Sequence, residues 1–521
     1  MSITSIVFLI FIAITLVVYY FCIPKKYQWC VLLAASYVFY AFSDFRLFFF
    51  ILSTTFTVFF SALWIAKITG SALVERKDKA WYLRIPKKTV LALIAILNFG
   101  VLVSFKWWNN LAEVLNSILS RSASVSFRLP LNRLLLPLGI SYYTFQAVGY
   151  LVDVYRNKIK PEHNPIRFAL FISFFPQLVQ GPISRYSELA EQLYTPRKFN
   201  YVEFRRGFQL MIWGLFTKMV IADRLVLMVD EIFGTPEKYK GLYIVVGIIA
   251  QSFWMYTEFM GGIDIMRGVG QMFGIIMPIN FKRPYFATSL AEFWRRWHIS
   301  LNDWWRDYLF YPIVLSKPMT KIRRFVSRIN PLAGKTIGIY IGLNLVRLIN
   351  AMWHGANKYY IAFGLSFGIL MTLSMMFEPA LVKLTRSLHI KTDSFSWKLF
   401  QIVRTFTIVS FCRIFLATKS VTAGVLSVIS IVKDFNPWIL NFDELFLVGL
   451  SRWDIRIVIV SLLILFVVSL LQEKGIRIRE SLEKQNILFQ WAVLLGGIVL
   501  VLLWGIYGIG FSASAFRYQM I

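Results

Sequence analysis

The sequence predicts an all-α integral membrane protein whose helices cross the bilayer many times. Hydrophobic residues make up 57% of the 521 residues and charged residues only 16%, whereas soluble domains average about 45–50% and 25%. Apolar runs close to the length of a bilayer span recur along the whole chain. The basic residues gather between these runs, as they do in the loops of membrane proteins.

Charge and cysteine content exclude several other classes of protein. The 56 Lys and Arg against 27 Asp and Glu give a net charge of +29, which in a polar chain would indicate nucleic acid binding. Here the positive-inside bias of membrane loops explains it, so no nucleic acid partner is expected. Cys22, Cys30 and Cys412 form no C-x-x-C pair, which argues against disulfide staples or a zinc site. We expect no bound metal and no resident cofactor.

The N-terminal part of the chain carries the first predicted spans. A helical span needs about 20 largely apolar residues, because each residue rises about 1.5 Å and the hydrocarbon core is about 30 Å thick. The first span lacks the basic start and small-residue cleavage site of a signal peptide. Four runs are predicted to span, the second of them short: Ile6–Phe21, Trp29–Ala41, Leu47–Ile65 and Val90–Phe105.

The rest of the chain continues the pattern. We expect eleven to thirteen membrane-embedded helices of unequal length, with the short runs Phe171–Gln180 and Leu309–Leu315 as re-entrant candidates. The other predicted spans are Leu134–Val152, Phe168–Val179, Phe208–Val229, Leu242–Phe259, Ile337–Met352, Tyr360–Phe377, Leu399–Phe415, Ile457–Leu471 and Phe489–Tyr507.

Basic loops predict the orientation of the spans. Lys25 and Lys26 follow the first span, and the loop from Lys67 to Lys88 follows two crossings later with Arg76, Lys77, Lys79 and Arg84. Short loops rich in Lys and Arg stay in the cytoplasm. The N-terminus is therefore predicted to lie outside the cell.

Polar residues at helical spacing mark the predicted span Ile337–Met352. At 100° per residue, Arg347, Asn350 and His354 share one face, and Asn344 lies apart from them. An ionisable residue inside a span costs about 2.5–3.5 kcal/mol to insert, which makes it a functional candidate. We expect these three side chains, continued by Trp353, to line a cavity or tunnel.

A second group of candidates lies in the segment Glu292–Asp307, which reads as one amphipathic helix at the membrane surface. Its tryptophans share one face and its charged residues the other, with His298 at the border. This segment supplies Trp297, Asn302 and Asp303 as tunnel or substrate candidates. Arg295, Arg296 and Arg306 are candidates for binding either the phosphates of a donor substrate or lipid headgroups.

The other two histidines and a pair of glycines are predicted to have structural rather than catalytic roles. His163 and His389 stand in polar loop sequences and are predicted to be solvated. The Gly270-x-x-x-Gly274 spacing predicts a close contact between two helices.

Two membrane histidines support more than one function. Histidine is the usual general base near neutral pH, and acyl transfer from a thioester to a hydroxyl needs little more than such a base and donors for the developing oxyanion. A transporter can use the same residue as a proton relay. The residues alone leave enzyme and transporter open.

Six ordered motifs resemble those of the membrane-bound O-acyltransferase family, in particular its bacterial branch of alginate O-acetylation and teichoic acid D-alanylation proteins. One stretch departs from the family, since Glu258–Asp264 (EFMGGID) stands where relatives commonly have DFSGYSD. The motifs are Pro137–Gln146 (PLGISYYTFQ), Tyr150–Arg156 (YLVDVYR), Phe174–Ile183 (FFPQLVQGPI), Asn280–Tyr285 (NFKRPY), Glu292–Ser300 (EFWRRWHIS) and Met352–Gly355 (MWHG).

The resemblance implies a fold and a site. His354 would be the catalytic histidine and His298 the second functional one, in a ring of tilted, re-entrant and interfacial helices around a central tunnel. One membrane domain, 1–521, would divide into N-terminal spans (1–130), a catalytic core (131–380) and C-terminal spans (381–521).

The resemblance also implies a reaction. An O-acetyltransferase in a bacterial cell membrane would pass acetyl groups from cytosolic acetyl-CoA to an extracellular or wall polysaccharide, directly or through a partner transferase similar to SGNH hydrolases. D-alanyl transfer to teichoic acid from a carrier protein is the enzymatic alternative, and a transporter is the other.

Overall fold

The computed structural model describes residues 1–42, 45–71, 85–120, 128–131, 137–445 and 448–507. Within these ranges the chain forms helices and no β-strand. Four basic residues of the predicted loop from Lys67 to Lys88 lie outside the described residues: Arg76, Lys77, Lys79 and Arg84. The start of the predicted span at Leu134 also lies outside them.

Eight helices in the described part of the chain are long and apolar enough to cross a membrane. The prediction of an all-helical, multi-pass membrane protein is confirmed, while the ring around a tunnel stays a prediction. The eight segments are Phe48–Gly70, Lys87–Leu119, Leu242–Met272, Pro331–His354, Lys358–Ser387, Phe395–Thr418, Arg452–Glu473 and Ile487–Trp504.

The chain divides into two compact units, one of residues 1–208 and 266–278, the other of residues 209–265 and 279–521. The predicted boundaries at residues 130 and 380 stay a prediction. The first unit contains the helices Ile6–Val17, Gln28–Ala41, Phe48–Gly70, Lys87–Leu119, Ile140–Tyr155, Pro165–Ser173, Phe175–Leu178 and Tyr186–Tyr194, a π turn Val18–Cys22, and 3-10 turns Lys25–Tyr27 and Phe45–Leu47.

Two predicted spans are shorter or more interrupted than expected and are not among the eight long helices. The helix Ile140–Tyr155 has 16 residues and is buried along most of its length, so it is a core helix. Phe168–Val179 is split between the helices Pro165–Ser173 and Phe175–Leu178. Conversely, the helix Val421–Lys433 is apolar but short, and it was not predicted.

The second unit holds the remaining elements. The helix Tyr201–Leu215 runs into this unit, and Leu242–Met272 lies mostly within it. The others are Asp223–Gly234, Leu290–Arg296, Ile299–Trp305, Tyr311–Val314, Lys317–Ile329, Pro331–His354, Lys358–Ser387, Phe395–Cys412, Ile414–Thr418, Val421–Lys433, Phe442–Leu445, Arg452–Glu473, Ile478–Glu483 and Ile487–Trp504, with π turns Phe216–Ala222 and Arg306–Phe310 and 3-10 turns Pro284–Phe286 and Pro437–Leu440.

Charged residues inside the predicted span Phe208–Val229 are paired with each other and with neighbouring helices. The Lys218 Nζ atom lies 2.5 Å from Asp223 Oδ1 and 2.9 Å from Glu258 Oε2. Arg224 donates to Asp454 over 3.0 Å. A buried charge is tolerated when it is paired and hydrogen-bonded, so these residues connect helices of the second unit.

Glycines bring two helices of the second unit into close contact, although not those predicted. A Cβ atom on Gly214 would lie 2.6 Å from the Gly261 carbonyl oxygen, so a side chain is excluded there. The prediction that Gly270 and Gly274 form a helix contact is wrong for Gly274. It follows the end of its helix with φ 76°, a left-handed conformation typical of a helix C-terminus.

Candidate active site

His298 stands at a break between two short helices. Leu290–Arg296 and Ile299–Trp305 are separate, and His298 has φ 45°, which an α-helix cannot accommodate. The prediction of one continuous helix over Glu292–Asp307 is therefore wrong. Asn302 stabilises the break, because its Nδ2 atom donates to the carbonyls of Trp297 (2.7 Å) and His298 (3.1 Å).

The two faces predicted for this segment survive the break. The tryptophan side chains are buried within the protein, whereas Arg295 and Arg306 are exposed. Burial of large aromatic surfaces stabilises the packing of both short helices. The tryptophans are Trp294, Trp297, Trp304 and Trp305.

His354 is the last residue of the long helix Pro331–His354. Its ring stacks on Tyr360, with centroids 5.8 Å apart and planes 20° from parallel. Gly355 permits this arrangement, since a Cβ atom there would lie 2.9 Å from Tyr360 Cε2. Trp353 packs on the His354 ring at a centroid distance of 4.6 Å and is absent from the lining of the cavity described next.

One cavity brings the two histidines together with three further predicted residues. Its volume is about 30 Å³, which is large enough to hold ordered water. Asn350 and His354 both reach it because they are four residues apart on one helix face. The lining includes His298, His354, Asn350, Asn302 and Trp297, with Met255, Phe293, Trp294, Leu301, Tyr360, Phe363, Phe367, Arg413 and Leu416.

A larger groove of about 340 Å³ is lined by four further predicted residues, Arg295, Asp303, Arg306 and Arg347, but not by Arg296 or Trp353. Trp294 and Asn302 line both the groove and the histidine cavity, so these two side chains form the wall between them. The groove is rich in guanidinium groups, which suit phosphate binding. Its lining is Ala291, Trp294, Arg295, Ile299, Asn302, Asp303, Arg306, Arg347 and Met371.

The wall is held by contacts to the helix Pro331–His354. The Arg347 guanidinium lies 3.8 Å from the centroid of the Trp294 ring and donates to Asn302 Oδ1 over 3.4 Å. Trp305 donates its indole N–H to Asn350 Oδ1 over 3.1 Å. An indole nitrogen can only donate, so the Asn350 amide group is oriented with its oxygen toward Trp305.

His298 is deeply buried, with 3% of its surface exposed. Its ring lies edge-on to Phe259 at 4.7 Å between centroids. Burial lowers the pKa of His298 from 6.5 to about 3, because the protein interior disfavours the charged imidazolium. The imidazole is therefore neutral at physiological pH.

Arg296 has different surroundings from Arg295 and Arg306. Its guanidinium contacts Glu473 at 2.8 Å and Glu292 at 2.6 Å, and Arg283 also contacts Glu473, at 2.5 Å. The neighbouring carboxylates raise the pKa of Arg296 despite its partial burial. Arg296 is engaged within this cluster, and its role in phosphate binding stays a prediction.

Comparisons with known proteins identify the family. A model of the membrane-bound O-acyltransferase family matches residues 108–328. The probable alginate O-acetylase AlgI of Pseudomonas aeruginosa is 35% identical over 366 residues, which is 70% of this chain and 64% of that protein. The protein of the same name in Pseudomonas putida is 34% identical over 365 residues, 70% of this chain and 68% of that protein.

The chain belongs to the membrane-bound O-acyltransferase family. The predicted family resemblance is confirmed. A peptidoglycan O-acetyltransferase of Helicobacter pylori is also similar, with 30% identity over 318 residues, 56% of this chain and 56% of that protein. The alignment covers less than two thirds of the length of the Pseudomonas aeruginosa relative.

Two residues at or near the cavity were not selected as site candidates from the sequence. Asn280 is fully buried and contacts the His298 ring, and it opens the fourth family motif, which was the signal available. Arg413 lines the cavity and lies 4.3 Å from the Trp297 ring centroid. It is 2% exposed and lies inside the predicted span Leu399–Phe415, so a charged residue within an apolar run was the signal available.

The described residues contain no group of three or more His, Cys, Asp and Glu side chains placed to hold a metal ion. The polar side chains that line the cavity carry imidazole, amide and guanidinium groups, together with the indole and phenol groups of its aromatic residues. Such groups can donate and accept protons and hold anions.

Proposed function

We propose that this chain is an O-acetyltransferase of a bacterial cell membrane that transfers acetyl groups from cytosolic acetyl-CoA toward an extracellular or cell-wall polysaccharide. The observation that carries the proposal is the cavity that His298 and His354 share, separated by one wall from an arginine-lined groove. Two similar proteins are named for acetylation of a polysaccharide or of peptidoglycan.

His354 is the general base in this proposal. It removes the proton of the acceptor hydroxyl, whose oxygen then attacks the carbonyl carbon of the acetyl thioester. Stacking on Tyr360 and contact with Trp353 fix the ring orientation, as the geometry of proton transfer requires. Arg347 and Asn350, on the same helix, line the path of the substrates.

The groove receives the donor. Arg295 and Arg306 are exposed at its edge and Arg347 is buried beneath them, so phosphates of acetyl-CoA would meet cationic groups that can bind them in a bidentate manner. Asp303 pairs with Arg306 at 2.6 Å and would hold that side chain in place. The chain supplies the base and the binding groups without a resident cofactor.

The acceptor side faces away from the cytoplasm, with the N-terminus outside. The acetyl group reaches the polysaccharide directly or through a partner transferase similar to SGNH hydrolases. The helix Lys317–Ile329 fits a cytoplasmic position at the membrane surface, because its basic residues face anionic lipid headgroups in that orientation.

Replacement of His354 tests the assignment. We expect His354→Ala to lower acetyl transfer by about 10²–10⁴ while membrane insertion is unchanged. The measurement is the acetyl content of the polymer in cells that carry only the variant, together with release of CoA thiol by the purified protein. The matched control is His163→Ala, which changes an exposed histidine. A normal acetyl content with His354→Ala would refute the catalytic assignment.

The same preparation distinguishes the other functions. Turnover with a D-alanyl carrier protein but not with acetyl-CoA would indicate D-alanyl transfer to teichoic acid. Accumulation of a solute in proteoliposomes without any thioester cleavage would indicate a transporter.

A further inference from the structure

The side chain of Asn280 has one defined orientation. Its Oδ1 atom lies 2.9 Å from the backbone nitrogen of Ser300 and 2.9 Å from Ser300 Oγ. A backbone N–H can only donate a hydrogen bond, so the amide atom that faces it must be the oxygen. The Nδ2 atom of Asn280 therefore faces the other neighbour, His298.

This orientation determines which ring nitrogen of His298 carries the proton. Asn280 Nδ2 lies 3.1 Å from His298 Nδ1, whereas Oδ1 is 3.4 Å away and already accepts two hydrogen bonds from Ser300. Because an amide nitrogen only donates, Nδ1 must accept. In a neutral imidazole the proton is then on Nε2.

The Nε2 atom of His298 has no hydrogen-bond partner among the described residues, although it is buried. A buried hydrogen-bond donor without an acceptor is energetically unfavourable. The residue also adopts φ 45°, a conformation that is uncommon outside glycine. Such costs are concentrated at functional sites, and this one lines the cavity that also contains His354.

We infer that His298 acts as a neutral hydrogen-bond donor to the carbonyl oxygen of the acyl thioester, and that Asn280 is the positioning residue that keeps the proton on His298 Nε2. The inference rests on the proposed acyl transfer. His298 is then an oxyanion donor and not a second base, since its only lone pair, on Nδ1, is occupied by Asn280.

The reaction step uses the two histidines differently. The acceptor oxygen forms a bond to the carbonyl carbon while its proton passes to His354, and the carbonyl electron pair moves onto the oxygen that His298 Nε2–H stabilises. When the intermediate collapses, the C–S bond breaks, and the departing thiolate takes the proton from His354. Asn350 is a candidate second donor, because its oxygen is held by Trp305 and its amide nitrogen can donate only.

Nitrogen NMR tests the protonation state independently of activity. The chain has four histidines, so the protein labelled with ¹⁵N-histidine in detergent gives few signals, and the His298→Gln variant assigns the one of interest. We expect a protonated Nε2 and an unprotonated Nδ1. A wild-type protein with its proton on Nδ1 would overturn the inference.

The variant Asn280→Asp should reverse the arrangement. A carboxylate can accept from Nδ1–H while its other oxygen keeps the two Ser300 hydrogen bonds, so the proton should move from Nε2 to Nδ1. We expect kcat to fall by about 10²–10³, as when one oxyanion donor is removed, with little change in KM for acetyl-CoA. The control is Asn344→Asp, since Asn344 contacts Thr372 outside this cavity. Unchanged kcat in Asn280→Asp with a moved proton would contradict the inference.

Amide replacements of the histidine separate donation from base catalysis. The amide nitrogen of His298→Gln can donate from near the Nε2 position, whereas that of His298→Asn is nearer the Nδ1 position. Neither variant can act as a base at neutral pH. We expect the Gln variant to keep turnover within about 10-fold of wild type and the Asn variant to lose about 10²–10³. Equal, complete loss in both folded variants would overturn the inference. A wild type without thioester turnover would instead contradict the proposed function, and the NMR result would still stand by itself.

Discussion

The Arg347 guanidinium lies over the indole ring of Trp294, 3.8 Å from its centroid. This contact joins a long helix to the wall between cavity and groove. A planar guanidinium can stack on the ring and donate to Asn302 at the same time, whereas an ammonium group cannot. Replacing Arg347 by lysine therefore keeps the positive charge but removes the planar group that makes both contacts.

We expect Arg347→Lys to weaken acetyl transfer by roughly 3–30-fold, from the loss of a cation–π contact of about 0.5–2 kcal/mol. The measurement is kcat/KM for acetyl-CoA in detergent, with a thermal unfolding curve for each variant. Arg328→Lys is the control, because Arg328 is exposed and lines neither the cavity nor the groove. Equal effects of both substitutions would argue against a special role of the stacked arginine.

The adjacent residues Arg295 and Arg296 should have different roles, the first in donor binding and the second in the stability of the fold. Arg295 is exposed in the groove, so Arg295→Ala should raise KM for acetyl-CoA several-fold with kcat preserved. Arg296 is held by Glu292 and Glu473, and Arg296→Ala should destabilise the fold by about 1–3 kcal/mol, because Glu473 loses charge-assisted hydrogen bonds. Steady-state kinetics and thermal unfolding of both variants separate the effects. A raised KM without destabilisation in Arg296→Ala would show that this residue, too, meets the donor.

The burial of His298 makes stability depend on pH. Its pKa is lowered to about 3 in the folded protein, against about 6.5 for an exposed histidine. As the pH falls below about 6.5, the unfolded chain binds a proton that the folded chain does not bind, so folding becomes less favourable. Below about pH 3 both states are protonated and the loss stops.

The loss from this one residue should reach about 2 kcal/mol at pH 5. We therefore expect the thermal unfolding midpoint of the wild type to fall more between about pH 7 and pH 5 than that of His298→Gln. The exposed histidines His163 and His389 are present in both proteins and cancel in the comparison. Parallel pH profiles would mean that His298 is protonated as easily in the folded as in the unfolded chain.

Orientation can be tested at two positions of the described chain. Within the helix Lys87–Leu119, Asn110 lies about 33 Å from Lys88 at 1.5 Å per residue, enough to cross the hydrocarbon core. With Cys22, Cys30 and Cys412 replaced by Ser, Asn110→Cys should react with an impermeant thiol reagent in intact cells. Arg328→Cys, at an exposed basic position, should react only after permeabilisation. The reverse pattern would place the donor groove on the outer side.

The sequence by itself determined the class of fold and most of the helices, and it selected His298 and His354 as site candidates. Hydropathy acts locally, because a run of apolar residues prefers lipid or protein interior whatever its neighbours are, and a basic loop resists translocation by its own charge. The face shared by Asn350 and His354 also follows from helix geometry alone. The family motifs extended these predictions to the site.

Only the tertiary structure decided how the polar groups are paired. A local pattern predicted one helix over Glu292–Asp307. The left-handed backbone conformation of His298 divides it, and Asn302 stabilises the break by donating a hydrogen bond to the His298 carbonyl. Arg296 meets Glu473 across 177 positions of sequence, and Asn280 meets His298 across 18. Separations of this length along the sequence follow no helical period, so they cannot be predicted from a local pattern. The position of the proton on the His298 ring therefore depends on Asn280, a partner that only folding brings to it.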